Sequence, residues 1–177
     1  MYIKVRQIFE LFSKGSLMKK VLITMLLLLA FMSACDGGCS RYCSENFPNS
    51  HAGRCWSDRS PNEMNHADAT AYCKNLGGRL PTISELRTLI QNCPATQTGG
   101  TCGVTDSCLS YGSCRDDSCD GCPYDPSGKY SVFGDTGAFW SSSMRSDYTN
   151  NACFVYFSLG YVYDRRRDNN LDARCIR

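Results

Sequence analysis

The most hydrophobic stretch of the chain is residues 21–32 (VLITMLLLLAFM), preceded by Lys19 and Lys20 and followed by Ser33, Ala34 and Cys35. It is apolar all round yet shorter than the roughly 20 residues a membrane-spanning helix needs. With its positive flank it reads as the core of a secretory signal peptide covering residues 1–34. Residues 1–17 fit no part of that plan; they either extend the n-region or precede a start at Met18, and the second reading is favoured. Residues 36–54 are rich in Gly, Ser and Asn and short on apolar positions. They predict a flexible tether, locally crosslinked through Cys39 and Cys43, so the folded domain is expected over residues 55–177.

Within that domain two helices are legible. Asn65 is placed to cap a helix over residues 66–76, with Asp68 favoured in its first turn and Gly77 and Gly78 ending it. Pro81 closes the intervening segment, and Thr82-Ile83-Ser84-Glu85 is a capping box. Ile83, Leu86, Leu89 and Ile90 then share one face at helical spacing, predicting a second helix that ends near Asn92. Residues 93–125 lose this periodicity. They hold Cys93, Cys102, Cys108, Cys114, Cys119 and Cys122 among Gly, Ser, Thr and Asp, too few apolar side chains for a core, and predict an insertion ordered by crosslinks. Strand signals follow: Phe139-Trp140 before a serine triplet, a hairpin from residues 152–157 through Ser158-Leu159-Gly160 to residues 161–163, and a last short strand over residues 171–177. Helices early and antiparallel strands late predict an α+β fold.

Composition changes this picture in one respect. The chain has 13 cysteines, which suggest metal clusters in a reducing cytosol and disulfides in an exported protein; the signal segment favours disulfides. Met32-Ser33-Ala34-Cys35 resembles the lipobox of bacterial lipoproteins, which makes Cys35 the lipidation site. Setting Cys35 aside leaves an even number of cysteines that can pair completely. Loss of the signal segment removes Lys4, Arg6, Lys14, Lys19 and Lys20 against Glu10 alone, turning a formal charge of +2 slightly negative. No global basic field for nucleic acid survives.

The domain also carries a combination of motifs. Trp56, Ala71-Tyr72-Cys73, GGRLPT (residues 77–82) with Glu85-Leu86, FWSSS (residues 139–143), a Phe-x-x-Gly hairpin and a terminal Arg-Cys-Ile-Arg occur in that order. Together they resemble the Lcl C-terminal domain family, named for the terminal domain of a bacterial collagen-like adhesin, in a cysteine-rich lipoprotein variant. The resemblance implies a C-type-lectin-like fold with two helices and a small antiparallel sheet. It implies that Leu80 and Pro81 seat the second helix against the sheet, that Trp140 is a central core aromatic and that Ser141 to Ser143 satisfy buried backbone groups. It also implies a disulfide between Cys73 and Cys175. Neither calcium-binding tripeptide loop of sugar-binding C-type lectins (Glu-Pro-Asn or Gln-Pro-Asp, with Trp-Asn-Asp) is present, so calcium-dependent monosaccharide binding is not implied. Whether Cys55 and Cys153 pair with each other or with Cys39 and Cys43 stays open.

Candidate chemistry is sparse. Cys108, Cys114, Cys119 and Cys122 have a zinc or redox reading, but the export signal favours structural disulfides. Asp116, Asp117 and Asp120 offer oxygens to calcium without EF-hand spacing, and the ordinary reading is a polar loop. Arg165, Arg166 and Arg167, with Arg145 and Lys129 near, form a candidate polyanion-binding edge, set against a solvated strand end beside Asp164 and Asp168. Tyr111, Tyr124, Tyr130 and Tyr148 fall on irregular segments and are candidate contact residues, with Tyr111 and Tyr124 on or beside the insertion; tyrosines on strands are read as packing. His51 and His66 stand apart from any nucleophile or metal motif. The reading is therefore a non-enzymatic, exported, membrane-anchored lipoprotein of the periplasm or cell surface. It needs no cofactor or metal and recognises a glycan or surface protein; the competing reading is a structural envelope protein with no dedicated ligand. Exposed aromatics on the insertion would favour recognition.

Overall fold

The computed structural model describes residues 43–177. The signal segment, the lipidation candidate Cys35 and Cys39 lie outside the described residues. Order begins earlier than the tether reading allows. Strands β1 (Asn49–His51) and β2 (Arg54–Trp56) pair antiparallel, Phe47 is fully buried, and Cys43 is bonded to Cys55. The folded body therefore starts by Cys43 rather than Cys55. The hairpin turns on Ala52 (φ 49°) and Gly53 (φ 70°), the two left-handed residues that a tight two-residue turn demands.

Helix α1 spans His66–Asn75, with Asn65 Oδ1 accepting from Asp68 N at 3.0 Å. Its end has a Schellman arrangement: Gly77 N donates to Lys74 O at 3.0 Å and Gly78 N to Cys73 O at 3.0 Å, with Gly77 at φ 86°. Gly78 is fixed by space instead. A Cβ there would lie 2.5 Å from the Phe47 ring and 2.7 Å from Ile176 O. Helix α2 is shorter than its apolar spacing predicts, covering only Ile83–Arg87. Both arms of the capping box form, Thr82 Oγ1 with Glu85 N and Glu85 Oε2 with Thr82 N. After Thr88 the chain tightens and leaves the helix: Gln91 N donates to Tyr130 O and Val132 N to Leu89 O, while Asn92 takes φ 56°. Pairing with residues 130–132 outcompetes another helical turn.

The main sheet is antiparallel, ordered β3 (Ala138–Met144), β4 (Asn151–Tyr156), β5 (Tyr161–Arg166). Both faces are covered, which explains the continuous apolar run ACFVYF. Ala152 and Phe154 face Trp140, α1 residues Ala69 and Cys73, and Leu171. Cys153 and Val155 face Phe139, Val162 and the α2 residues Ile83 and Leu86. Trp140 is fully buried and donates from Nε1 to Met64 O at 2.9 Å. The register shifts across the serine triplet, and the triplet's hydrogen bonds are redirected. Ser141 Oγ donates to Cys153 O, Ser142 N to Pro81 O at 2.7 Å, and Ser143 Oγ accepts from Ile83 N. These groups tie the N-terminus of α2 to β3. The expected last strand is not continuous. Residues 171–177 instead make single bridges, Leu171 to Met64, Asp172 to Phe139, and Ile176 to both Trp56 and Arg79, because the C-terminal segment threads between β2, β3 and the strand-like link at Arg79.

Five disulfides close among the described residues. Cys73 on α1 is bonded to Cys175, with the Cα atoms 5.2 Å apart. The insertion holds three more, nested one inside the next: Cys93–Cys122, Cys102–Cys119 and Cys108–Cys114. Cys108, Cys114, Cys119 and Cys122 are thus cystines, not thiolates available to zinc. Contrary to complete pairing, Cys153 is a free, buried thiol; burial first, and Asp164 beside it, push its pKa up to about 12. So many cystines mark a protein folded in an oxidising, extracytoplasmic environment. Among the described residues no helix is long and apolar enough to cross a membrane.

Candidate functional site

The insertion carries a short helix α3 (Tyr111–Cys114) and a 3-10 turn at Asp117–Asp120. It is held at several places, among them Asp106, whose Oδ1 accepts from Ser84 N and Ser143 Oγ. At its root the buried guanidinium of Arg87 donates to Thr96 O at 2.8 Å, Gln97 O at 3.1 Å and Val104 O. At its return Cys122 N donates to Leu159 O and Asp125 N to Ser158 O, on the β4–β5 turn. Gly121 meets that turn so closely that a Cβ would stand 2.3 Å from Leu159 O. In the middle, Asp147 in the β3–β4 connection accepts from Tyr111 N at 3.2 Å and Ser110 Oγ at 3.3 Å.

That middle contact builds the most distinctive surface of the molecule, an alternating series of tyrosine rings and guanidinium groups. Arg145 lies 5.8 Å from the Tyr148 ring centre and 4.9 Å from that of Tyr111. Arg115 lies 5.4 Å from Tyr111, 4.5 Å from Tyr163 and 5.7 Å from Tyr161. Tyr111 meets Tyr163 edge to face at 5.8 Å, and Tyr161 stacks on Tyr163 at 5.2 Å. Cation–π contacts of this kind contribute about 0.5–1 kcal/mol each at exposed sites, so the series also fastens the insertion to β5, the edge strand that would otherwise be open.

Each guanidinium has a carboxylate. Arg145 chelates Asp147 through Nε at 2.9 Å and Nη2 at 3.0 Å and reaches Asp164 through Nη1 at 3.2 Å; Arg115 pairs with Asp120. The hydrogen bonds from Arg145 hold the Asp147 carboxyl well below the usual carboxylate range, and Arg145 is raised above its ordinary value, chiefly by Asp147. The Tyr163 hydroxyl is pushed up to about 12, first by its hydrogen bond with Tyr111 and then by burial. The arrangement is an aromatic surface in which two guanidiniums are paired with three carboxylates.

The residues singled out from sequence fall at separate places. Tyr111 is 39% exposed and Tyr148 48% exposed within the series. Tyr124, 63% exposed, stands after Cys122 at the β4–β5 turn end of the hairpin. Tyr130 is corrected from contact residue to packing residue: it is 3% exposed and its hydroxyl donates to Pro123 O. Arg165, Arg166 and Arg167 are all exposed at the opposite end of β5, where Arg166 pairs with Asp168. Arg145 and Lys129 do not join that edge as free charges, since Arg145 is bound to Asp147 and Asp164 and Lys129 to Asp125 at 2.7 Å. Of the insertion aspartates, Asp116 accepts from Ser118 N and Asp120 binds Arg115. Among the described residues no group of three or more His, Cys, Asp or Glu is placed to hold a metal ion. His51 and His66 bond the carbonyls of Thr88 and Ser141.

Sequence reasoning missed Arg115, Asp147 and the strand tyrosines Tyr161 and Tyr163 as parts of one surface. The only signal was compositional, an Arg or Asp within a few residues of each tyrosine, and that does not say which of them meet. No protein-family model matches the chain, and a search of curated proteins returns no match.

Proposed function

We propose that this protein is an exported lipoprotein, anchored through Cys35, whose domain is a non-enzymatic recognition module on a C-type-lectin-like scaffold, with a glycan or surface protein as ligand. The lipobox-like MSAC sequence after an apolar core supports the anchor. The cystine joining the first helix to the C-terminal segment, the cap box after GGRLPT and the central tryptophan support the scaffold. The observation that carries the recognition reading is the set of exposed rings on or against the insertion, Tyr111, Tyr124 and Tyr148. Rigid, amphipathic aromatics displayed on a braced loop are the usual contact residues of recognition surfaces, whereas a packing-only insertion would present a uniformly polar face.

Two measurements test this. Metabolic labelling with a fatty acid is expected to mark the chain and to fail on Cys35→Ala; label retained in that variant rejects the anchor. The purified full chain, disulfides intact, is then applied to an array of glycans and polyanions with calcium and with chelator. Saturable binding supports recognition, and loss on replacing Arg165, Arg166 and Arg167 assigns it to the basic edge. Binding to no glycan, polyanion or surface protein rejects the reading.

A further inference from the structure

Among the described residues, the guanidinium groups of Arg165, Arg167 and the C-terminal Arg177 have neither a carboxylate nor a carbonyl partner. Every other arginine there is held, by an acidic side chain or, for Arg87, by three carbonyls. Two of the three unpaired groups stand together at the end of β5, with Arg166 between them. Arg166 is paired, but to Asp168 at the surface, the side chains being 68% and 61% exposed. An ion pair so exposed is held weakly. Asp164, the nearest other acid along the strand, is turned inward and bound by Arg145 and Asn151. Residues 165–168 therefore carry three guanidiniums against one carboxylate.

The edge has a shape as well as a charge. Asn150, Arg166, Arg167 and Asp168 line an open depression of about 280 Å3. Its backbone is fixed on two sides, since Arg167 N donates to Asn150 O at 3.0 Å and Arg167 O accepts from His66 N at 3.0 Å. Arg165 and Arg166 project to opposite faces of the strand, so guanidiniums flank its end. The bond to His66 sets the depression beside the N-terminal end of α1. The described chain begins at the other end of that helix, where Cys43 is bonded to Cys55 and Asn46 Nδ2 donates to Leu76 O.

We infer that this depression docks an acidic segment of a partner protein, with Asp or Glu carboxylates taken by the Arg165 and Arg167 guanidiniums and backbone N–H groups by Asp168; the inference rests on the recognition reading and names its partner. A guanidinium presents two parallel donors that match a carboxylate. Asp168 and Asn150 decide against a uniformly charged polymer. A chain with a sulfate or phosphate at every repeat would bring like charge onto Asp168, which costs affinity. A peptide instead offers N–H donors to that carboxylate, and both donors and acceptors to the Asn150 amide. Because the Arg166–Asp168 pair is exposed, Arg166 can also exchange Asp168 for a carboxylate of the partner.

The test uses the full chain with disulfides intact, 15N-labelled at arginine, titrated with a dodecapeptide of alternating Glu and Gly, with its Gln counterpart, and separately with dextran sulfate. The side-chain resonances of Arg165 and Arg167 are expected to shift with the Glu peptide, saturably and less as salt is raised, while those of Arg115 and Arg145 stay. The Gln peptide should leave all of them in place. Replacing Arg165 and Arg167 together by Gln is expected to weaken binding about tenfold, the combined effect of two exposed charge pairs, with an unchanged thermal midpoint. Asp168→Asn, which frees Arg166, is expected to tighten it about threefold; a solvated strand end would respond to neither change. Absence of shifts with the Glu peptide, equal shifts with the Gln peptide, or full affinity in the double variant overturns the inference. So does dextran sulfate binding more tightly than the peptide through the same arginines. If the chain still captures a ligand on the array when the inference has failed, recognition stands by another route; if it captures none, both readings fall.

Discussion

Ala52 adopts φ 49° at the tip of the β1–β2 hairpin, a conformation that costs an L-residue with a Cβ about 1 kcal/mol or more. Asn tolerates it, and Asn-Gly is the favoured pair for this turn. Ala52→Asn is therefore expected to raise the thermal midpoint by a few degrees, read by circular dichroism; a lowered midpoint would mean that the turn is not where the hairpin is strained. His66 tells the opposite story, a residue whose environment sets its chemistry. It is buried against Trp140, and burial lowers its pKa below 6.5. The unfolded chain then takes up the proton first, so stability falls as pH drops below about 6.5 toward the folded value. Urea midpoints measured from pH 8 to pH 5 should show this decline, and His66→Gln should flatten it. Equal slopes in the two proteins would assign the acid sensitivity elsewhere.

At the scale of elements, the root of the insertion rests on one buried cation. Arg87 offers its guanidinium to three carbonyls with no carboxylate nearby, and burial lowers its pKa. Truncating it to Ala would leave those carbonyls unsatisfied, a loss of about 3 kcal/mol. Hydrogen exchange should show residues 96–104 losing protection before β3–β5 do; uniform loss would show the insertion and sheet to be one cooperative unit. The elements themselves were unevenly legible. Helix α1 and the β4–β5 hairpin could be placed closely because their signals are local: an Asn cap, paired glycines, a turn between β-rich runs. Helix α2 was overextended because Leu89 and Ile90 keep helical spacing while their backbones pair with residues 130–132, a contact that no window of sequence contains. The tether was misjudged for a related reason, since a hairpin held by Cys43–Cys55 and one buried Phe47 needs few apolar residues. Of the series' tyrosines only Tyr111 and Tyr148 were candidates, and Arg145 was assigned to the basic edge, because assembling the series needs β5, the β3–β4 connection and the insertion to meet.

At the scale of the molecule, the cystines divide by the loops they close. Cys73–Cys175 spans 102 residues, and chain entropy assigns such a crosslink about 4–5 kcal/mol; Cys108–Cys114 spans 6 and is worth about 2 kcal/mol. Replacing Cys73 and Cys175 by Ser should lower the denaturation midpoint much more than replacing Cys108 and Cys114, which should instead loosen the Tyr111 segment locally. Similar losses from both pairs would mean that the insertion contributes to global stability as fully as the scaffold does.

The nesting of the three insertion bonds has a further consequence. Six cysteines admit about 15 pairings, but here all six find partners among themselves. No disulfide joins the insertion to the rest of the described fold, whose own cystines are Cys43–Cys55 and Cys73–Cys175. Mutation and recombination can thus rewrite the loop like a cartridge, trading its length, charge and side chains for others, without leaving a stranded thiol behind in the frame that carries it.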